Sequence, residues 1–422
     1  MNMQIIRGFR DILPENIKLW QKIEKEAIAL FKAFGFEEIR LPILEKTEVF
    51  ARSIGEVTDI VEKEMYTFPD RKGDKLTLRP EATASMVRAY VQHKMYASDP
   101  VRKFFTIGPM FRRERPQKGR YRQFYQIDAE IFGVEAPYVD SNLIFLLNEL
   151  FSRLGLTDLK AHINSLGCPE CRPAFQKALL DLLETKKGEL CPNCIRRKDT
   201  NPLRTIDCKV PQCKEALKDA PSSLDFLCNG CKKHFDTVKR TLTAQGVEFI
   251  EDKTLVRGLD YYTRTAFEIQ TTSLGAQSAV AGGGRYDLLV KEMGGPDIPA
   301  IGFAIGFDRL VEVMETLDKN IDSEQPDLFI IALGEPAMES AYYWSTDLNL
   351  KGLRTEVDYR GKSLKALMKR ADKLGAKYVL IAGEKEIKEN ALVLRNMDTR
   401  EQVLVKADNP VEEIIEIFKK KN

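Results

Sequence analysis

Phe104–Gly133, FFTIGPMFRRERPQKGRYRQFYQIDAEIFG, is the stretch from which the rest of the chain is read. It has two apolar-rich segments joined by a basic loop containing Pro116 and Gly119, the pattern of a long β-hairpin. Side chains alternate across a strand, so the return segment places Phe124, Gln126, Asp128 and Glu130 on one face and Tyr125, Ile127, Ala129 and Ile131 on the other. The second face is core. The first carries two carboxylates and an amide in a row, and the outgoing segment ends in Arg112, Arg113, Glu114 and Arg115. Folding one back on the other sets guanidinium groups beside carboxylates. Arginine grips phosphate oxygens in pairs, so such a floor suits a ligand bearing both phosphate and ammonium groups. A solvated hairpin face with surface ion pairs has the same composition.

Around the hairpin, 422 residues are enough for two or three domains with ample core. An apolar content of 43% and a charged content of 30% are those of an ordinary globular protein. The formal net charge is only +2, so contact with nucleic acid has to come from local patches. No apolar run is long enough to span a membrane, and Met1–Arg10 has no signal-peptide apolar core, which points to the cytoplasm.

N-terminal to the hairpin, Ile17, Trp20, Ile23, Ala27, Leu30, Phe31 and Phe34 fall at helical spacing from Pro14, and Gly35 supplies the stop. A short strand over 37–43 follows, with Pro42 at an edge or bend. A long helix leading into an edge strand suits either a dimer seam or ordinary packing. Lys75–Arg79 reads as a strand, and Pro80, Glu81, Ala82 and Thr83 open a helix to about Tyr96. Proline and an acidic group at a helix start are capping chemistry, but a strand-to-helix corner is also a common ligand site. Another helix is predicted over 140–156.

All eight cysteines lie between Cys168 and Cys231, spaced C-x2-C, x19, C-x2-C, x13, C-x4-C, x14, C-x2-C. Cys168, Cys171, Cys191 and Cys194 fit the spacing of one zinc site. Cys208, Cys213, Cys228 and Cys231 complete a second, with His234 as a spare ligand. Reduced structural cysteines and redox-labile C-x2-C pairs are the competing readings. A catalytic metal is disfavoured, because the chain has only three histidines, His93, His162 and His234.

Site-like composition returns at Leu255–Ile269, LVRGLDYYTRTAFEI, where Arg257 and Gly258 precede Asp260, Tyr261 and Tyr262 and then a strand. Gly282, Gly283, Gly284, Arg285, Tyr286 and Asp287 are expected after a strand over 277–281. A glycine run permits close backbone approach, although it is not the phosphate fingerprint. In Ala300–Met314, AIGFAIGFDRLVEVM, a glycine-spaced strand enters a helix with Arg309 in its first turn. A cation there opposes the helix dipole, which suits either an anionic ligand or an arginine directed to water.

Asp322–Pro326, DSEQP, reads as a linker. Beyond it, strands at 328–333, 355–359, 378–382, 391–395 and 402–405 alternate with helices at 338–350, 364–374 and 411–420, a small α/β domain with a mixed sheet. Lys362, Lys365, Lys369, Arg370 and Lys373 cluster on its middle helix, as a solvated face or as an RNA contact.

These residues together resemble the class II aminoacyl-tRNA synthetases, and within them the histidyl-tRNA synthetase family, over essentially the whole chain. The helix–strand ending at Pro42 is similar to class motif 1. Phe111-Arg112-Arg113-Glu114 and the loop to Arg122 resemble motif 2, and Gly306-Phe307-Asp308-Arg309 resembles motif 3. The histidine-specific signatures are Arg257-Gly258-Leu259-Asp260-Tyr261-Tyr262 and Ala281-Gly282-Gly283-Gly284-Arg285-Tyr286-Asp287. The C-terminal part resembles the class IIa anticodon-binding domain.

The resemblance implies an α+β fold. An antiparallel-sheet catalytic domain occupies 1–325, with a helical, cysteine-rich insertion at about 168–245, and an α/β anticodon-binding domain occupies 326–422. It implies ATP-dependent activation of L-histidine and transfer to tRNA(His), with ATP, Mg2+ and a homodimer. By matched position, Arg112 and Arg257 meet the α-phosphate and serve catalysis, Glu114 the adenine end and Arg309 the γ-phosphate. Glu81, Ala82, Thr83 and Gln126 hold the amino acid's ammonium and carboxylate, while Glu130, Tyr261 and Tyr262 surround the imidazole. Arg115, Lys118 and Arg120 approach the tRNA acceptor end. The family's mechanism needs no cysteine, so zinc is left as a possible staple of the insertion. Two other functions stand beside the ligase. One is a silent regulatory paralogue of histidine biosynthesis, against which stand the retained Arg257, Glu114, Arg309 and C-terminal domain. The other is a zinc-bound RNA-binding module, which has no need of the three class motifs.

Overall fold

The computed structural model describes residues 3–317 and 325–421, except 56, 57, 59, 118 and 272–278. The chain divides into two units, Met1–Ile321 and Asp322–Asn422. Residues 322–324 of the expected linker and 277–278 of an expected strand lie outside the described residues.

The first unit runs α1 (Pro14–Ala33), β1 (Glu37–Glu38), β2 (Leu44–Lys46), α2 (Thr47–Ile54), β3 (Tyr66–Pro69), β4 (Lys75–Leu78), α3 (Thr83–Gln92), β5 (Arg102–Phe111), β6 (Gln123–Phe132), α4 (Tyr138–Arg153) and β7 (Leu159–Ser165). It continues with α5 (Arg172–Thr185), α6 (Pro192–Thr200), α7 (Pro211–Ala216), α8 (Asn229–Ala244), β8 (Phe249–Glu251), β9 (Thr263–Thr271), β10 (Ala279–Arg285), α9 (Leu289–Glu292), β11 (Ala300–Gly306) and α10 (Phe307–Leu317).

The expected hairpin is β5–β6, antiparallel from Arg102 opposite Phe132 to Phe111 opposite Gln123. It sits within an eight-stranded sheet of order β1-β5-β6-β11-β10-β9-β7-β8. The six central strands are antiparallel, and a short parallel strand closes each edge. Alternation divides the sheet into two faces. On one, Ile127, Ala129 and Ile131 pack with Trp20 and Phe31 of α1, Leu143 and Leu147 of α4, Val238 of α8 and Leu310 of α10. The face left uncovered by these helices carries Gln126, Asp128 and Glu130. The strand expected over 37–43 is only two residues long, and β2 pairs instead with β4 in a separate three-stranded sheet. The glycine run expected after a strand is part of one: Gly282–Gly284 are inside β10.

The second unit holds β12 (Leu328–Leu333), α11 (Glu335–Leu350), β13 (Thr355–Val357), α12 (Leu364–Lys373), β14 (Tyr378–Gly383), α13 (Glu384–Lys388), β15 (Leu392–Asn396), β16 (Gln402–Val405) and α14 (Pro410–Lys421). Its sheet order is β13-β12-β14-β15-β16. The first three strands are parallel to one another, and β15 and β16 are antiparallel additions. Only the short α13 lacked a periodic signal in the sequence.

Candidate active site

The uncovered face of the large sheet floors a cleft of about 430 Å3. Arg112, Arg257 and Arg309 line it together with Glu81, Gln126 and Glu130, although these six residues are spread over more than two hundred positions of sequence. Glu114, Arg120, Thr83, Tyr261 and Tyr262 line it too. Ala82 does not. Its side chain is buried with Met86 and Tyr90 in the core behind α3, so any contact with a ligand falls to its backbone. Arg115 is exposed outside the cleft, and Lys118 lies outside the described residues.

Each side chain is placed by a recognisable local cause. Glu81 precedes α3 and accepts hydrogen bonds from the backbone N–H of Thr83 (2.8 Å) and Ala84 (2.9 Å), so the capping reading of this residue holds as well as its place in the cleft. Glu130 accepts from the hydroxyls of Thr83 (2.7 Å) and Tyr286 (2.6 Å). Arg112 donates from Nε to the Pro80 carbonyl (2.9 Å) and stacks over the Phe124 ring. Arg257 pairs with Glu268 and lies over Tyr262, 5.7 Å from its centroid. Arg309 donates to the Ala279 carbonyl (2.8 Å). Two glycines clear the space. A Cβ on Gly302 would lie 1.4 Å from Oε2 of Glu130, and one on Gly282 would lie 2.4 Å from Nη1 of Arg257.

The electrostatics divide the cleft into two ends. At the carboxylate end, burial pushes Glu130 up to about 8 and raises Glu81. It also raises Asp128 well above the carboxylate range, with Glu130 and Glu81 adding to the shift. Both oxygens of Asp128 are buried and accept no hydrogen bond among the described residues, and the same is true of Oε1 of Gln126. Three crowded carboxyls, with unmet acceptors on Asp128 and Gln126, favour a cationic, hydrogen-bond-donating guest. At the other end, burial and then the neighbouring Arg120 guanidinium lower the pKa of Arg309. Like charges facing one cavity favour an anion.

Sequence reading assigned no individual role to three members of this site. Tyr286, just after β10, reaches Glu130 from 156 positions away, and Glu268 in β9 meets Arg257 of the loop that precedes that strand. Asp128 was visible in the alternation, but nothing local indicated that it stays unpartnered. Arg285, from the same signature, is structural: it is fully buried, paired with Asp140 at 2.7 Å and donates to the Val134 and Ala136 carbonyls.

The cysteines form two sets, and the pairing differs from the expected one. Cys168 and Cys171 join Cys228 and Cys231, while Cys191 and Cys194 join Cys208 and Cys213. Helices α5 to α8 and their connections nest the inner pairs within the outer, which spacing along the chain does not reveal. His234 belongs to neither set; its Nε2 lies 3.6 Å from Asp140.

Family models match in the order of the two units: histidyl-tRNA synthetase over residues 8–310 and anticodon binding domain over 327–417. A histidine–tRNA ligase of Desulforapulum autotrophicum is 68% identical over 416 residues, covering 99% of this chain and 98% of the relative. One from Desulfosudis oleivorans is 60% identical over 400 residues, 95% of each chain. The crystal structure of apo Staphylococcus aureus histidyl-tRNA synthetase superposes with a TM-score of 0.81 at 35% identity, covering 98% of this chain and 99% of that one. The chain belongs to the histidyl-tRNA synthetase family.

Proposed function

We infer that the chain is a histidine–tRNA ligase that activates L-histidine with ATP and transfers it to the 3′ end of tRNA(His). In the first step a histidine carboxylate oxygen attacks the α-phosphorus. The bond from that phosphorus to the bridging oxygen breaks, and pyrophosphate leaves histidyl-adenylate behind. In the second, a hydroxyl of the terminal ribose attacks the histidyl carbonyl and AMP departs. Neither step needs a covalent enzyme intermediate, so the protein's contribution is placement and charge neutralisation. ATP enters with Mg2+.

The observation that carries the reading is the two-ended cleft. Arg112 and Arg257 bracket the α-phosphate, Arg309 takes the γ-phosphate, and Glu114 faces the adenine end. Glu81, Thr83 and Gln126 receive the ammonium and carboxylate of histidine, with Asp128 adding an unmet acceptor beneath them. Glu130, in a pocket walled by Tyr261 and Tyr262, accepts an imidazole N–H. Arg115 and Arg120 of the hairpin loop meet the acceptor end, and Lys118 belongs to the same loop. The exposed lysines of α12 reach the anticodon arm. The working unit is a homodimer in the cytoplasm. Zinc is a structural ion of the insertion and takes no part in the chemistry.

Amino-acid-dependent ATP–pyrophosphate exchange, run with each standard amino acid in turn, tests the function. Exchange with histidine alone is expected. Exchange with another amino acid, or with none, overturns it.

A further inference from the structure

We propose that the eight cysteines hold two structural zinc ions, at Cys168/Cys171/Cys228/Cys231 and at Cys191/Cys194/Cys208/Cys213, and that these sites splint the insertion against the Arg257–Tyr262 loop of the histidine pocket. The second half of the proposal rests on the ligase reading; the first does not.

The geometry fits one ion per set. Within each set the four sulfurs lie within 4.8 Å of one another, and all eight cysteines are free. Cys168 and Cys171 are 3.6 Å apart, Cys168 and Cys228 3.9 Å, and Cys191 and Cys208 3.9 Å. Zinc–thiolate bonds of about 2.3 Å in a tetrahedron give sulfur–sulfur edges of about 3.8 Å. A multi-iron cluster needs its thiolates spread more widely. Backbone N–H groups already point at the sulfurs: Cys228 donates to Cys171 (3.1 Å), Cys231 to Cys228 (3.5 Å) and Cys191 to Cys213 (3.1 Å). Such donors stabilise thiolates and orient metal ligands. Four thiolates leave no open position for water, so each site is structural.

The placement gives the sites a consequence. The root site joins the two ends of the insertion, and Arg172, beside Cys171, donates to the Tyr262 carbonyl. The tip site encloses the segment that carries Asn201 and Arg204. Asn201 donates to Asp260, and Arg204 lines the cleft beside Gly258. Each site thus holds one side chain, Arg172 or Asn201, against the same short loop, which carries Arg257 and the two tyrosines that wall the pocket. A four-ligand staple limits the states open to a segment with a small core, much as closing a loop does.

Elemental analysis of the full chain, purified without added metal, is expected to give two zinc per chain. The Cys191→Ser/Cys194→Ser variant is expected to give one, and a cobalt-reconstituted sample to absorb as a tetrahedral tetrathiolate. No zinc with eight titratable thiols, or iron in its place, overturns the metal sites. For the splint, hydrogen exchange of the 257–262 amides and the KM for histidine are read together. The tip variant is expected to exchange faster there and to raise KM about tenfold with a smaller change in kcat. Asn201→Ala keeps every ligand, and so covers the case in which the cysteine variant fails to fold. It is expected to retain two zinc and still loosen the same amides. Unchanged exchange and KM in Asn201→Ala, with two zinc bound, overturns the splint while leaving the metal sites and the ligase reading intact.

Discussion

Glu81, Asp128 and Glu130 crowd one floor, and burial is the first cause of each raised pKa. For Glu130, pushed from 4.5 to about 8, the folded chain keeps a proton that the unfolded chain releases between those values. That proton's contribution to stability is complete below the unfolded pKa and is lost as pH rises through the folded one. A single such group changes stability by at most ~1.4 kcal/mol per pH unit. Glu130→Gln removes the titration and leaves a similar shape. Wild-type stability is therefore expected to fall more steeply than the variant's as pH is raised from about 4.5 to about 8; parallel denaturation profiles would refute it. On the proposed reading the same variant also exchanges the carboxyl at the imidazole for an amide and gives up a hydrogen bond worth about 0.5–1.5 kcal/mol, so the KM for histidine is expected to rise roughly two- to tenfold. Arg257 lines the same cleft and is proposed to neutralise the α-phosphate. Arg257→Ala is expected to lower histidine-dependent pyrophosphate exchange by about 10²–10³-fold, the scale of a lost preorganised charge. Near-normal exchange would remove Arg257 from the phosphate.

Among elements, α3 has two tasks. Its N-terminus is capped by Glu81, and the same carboxylate lines the cleft. Glu81→Gln keeps an acceptor for the cap and loses the charge; Glu81→Ala loses both. Chemical unfolding is expected to show Glu81→Ala about 1 kcal/mol less stable and Glu81→Gln close to wild type, with a raised histidine KM in both. A KM that rises only in the alanine variant would reduce Glu81 to a cap. The hairpin β5–β6 was legible in the sequence because period-two alternation is local and its register assigns every side chain to a face. Helices α1 and α4 were legible for the matching reason of period 3.6. Pairings closed by topology were not. The cysteines spell four adjacent pairs, but the order in which the pairs meet depends on how α5 to α8 fold back. Tyr286 reaches Glu130 across 156 positions, so no window of sequence contains the contact. Gly282–Gly284 were expected after a strand because glycine is rare inside strands, yet none has space for a Cβ: the Arg257 guanidinium fills it at Gly282, Gly302 and Phe303 of β11 at Gly283, and the Thr265 carbonyl of β9 at Gly284.

At the scale of the whole molecule, a net charge of +2 means that attraction to RNA has to be concentrated somewhere. In the second unit Lys362, Lys365, Lys369 and Lys373 are exposed on or beside α12. Arg370 is employed differently: it pairs with Asp358 at 2.7 Å, and Arg360 pairs with the same carboxylate at 2.6 Å, holding that carboxyl well below its usual range. The lysines are therefore the charges of this cluster available to phosphates, and Arg370 fixes the helix that presents them. On the proposed reading amino-acid activation belongs to the first unit, whereas aminoacylation needs tRNA held as well. Lys365→Glu/Lys369→Glu is thus expected to leave histidine-dependent pyrophosphate exchange at its wild-type rate. It is expected to weaken tRNA binding at least tenfold and to reduce the steepness of its salt dependence by about one unit per lost phosphate contact. Aminoacylation at limiting tRNA should fall with the binding and recover at saturating tRNA. If exchange and aminoacylation drop together, the substitutions have damaged the fold. If tRNA binding and its salt slope stay unchanged, the basic face of α12 is solvated surface, and the anticodon arm is held by other residues of the unit.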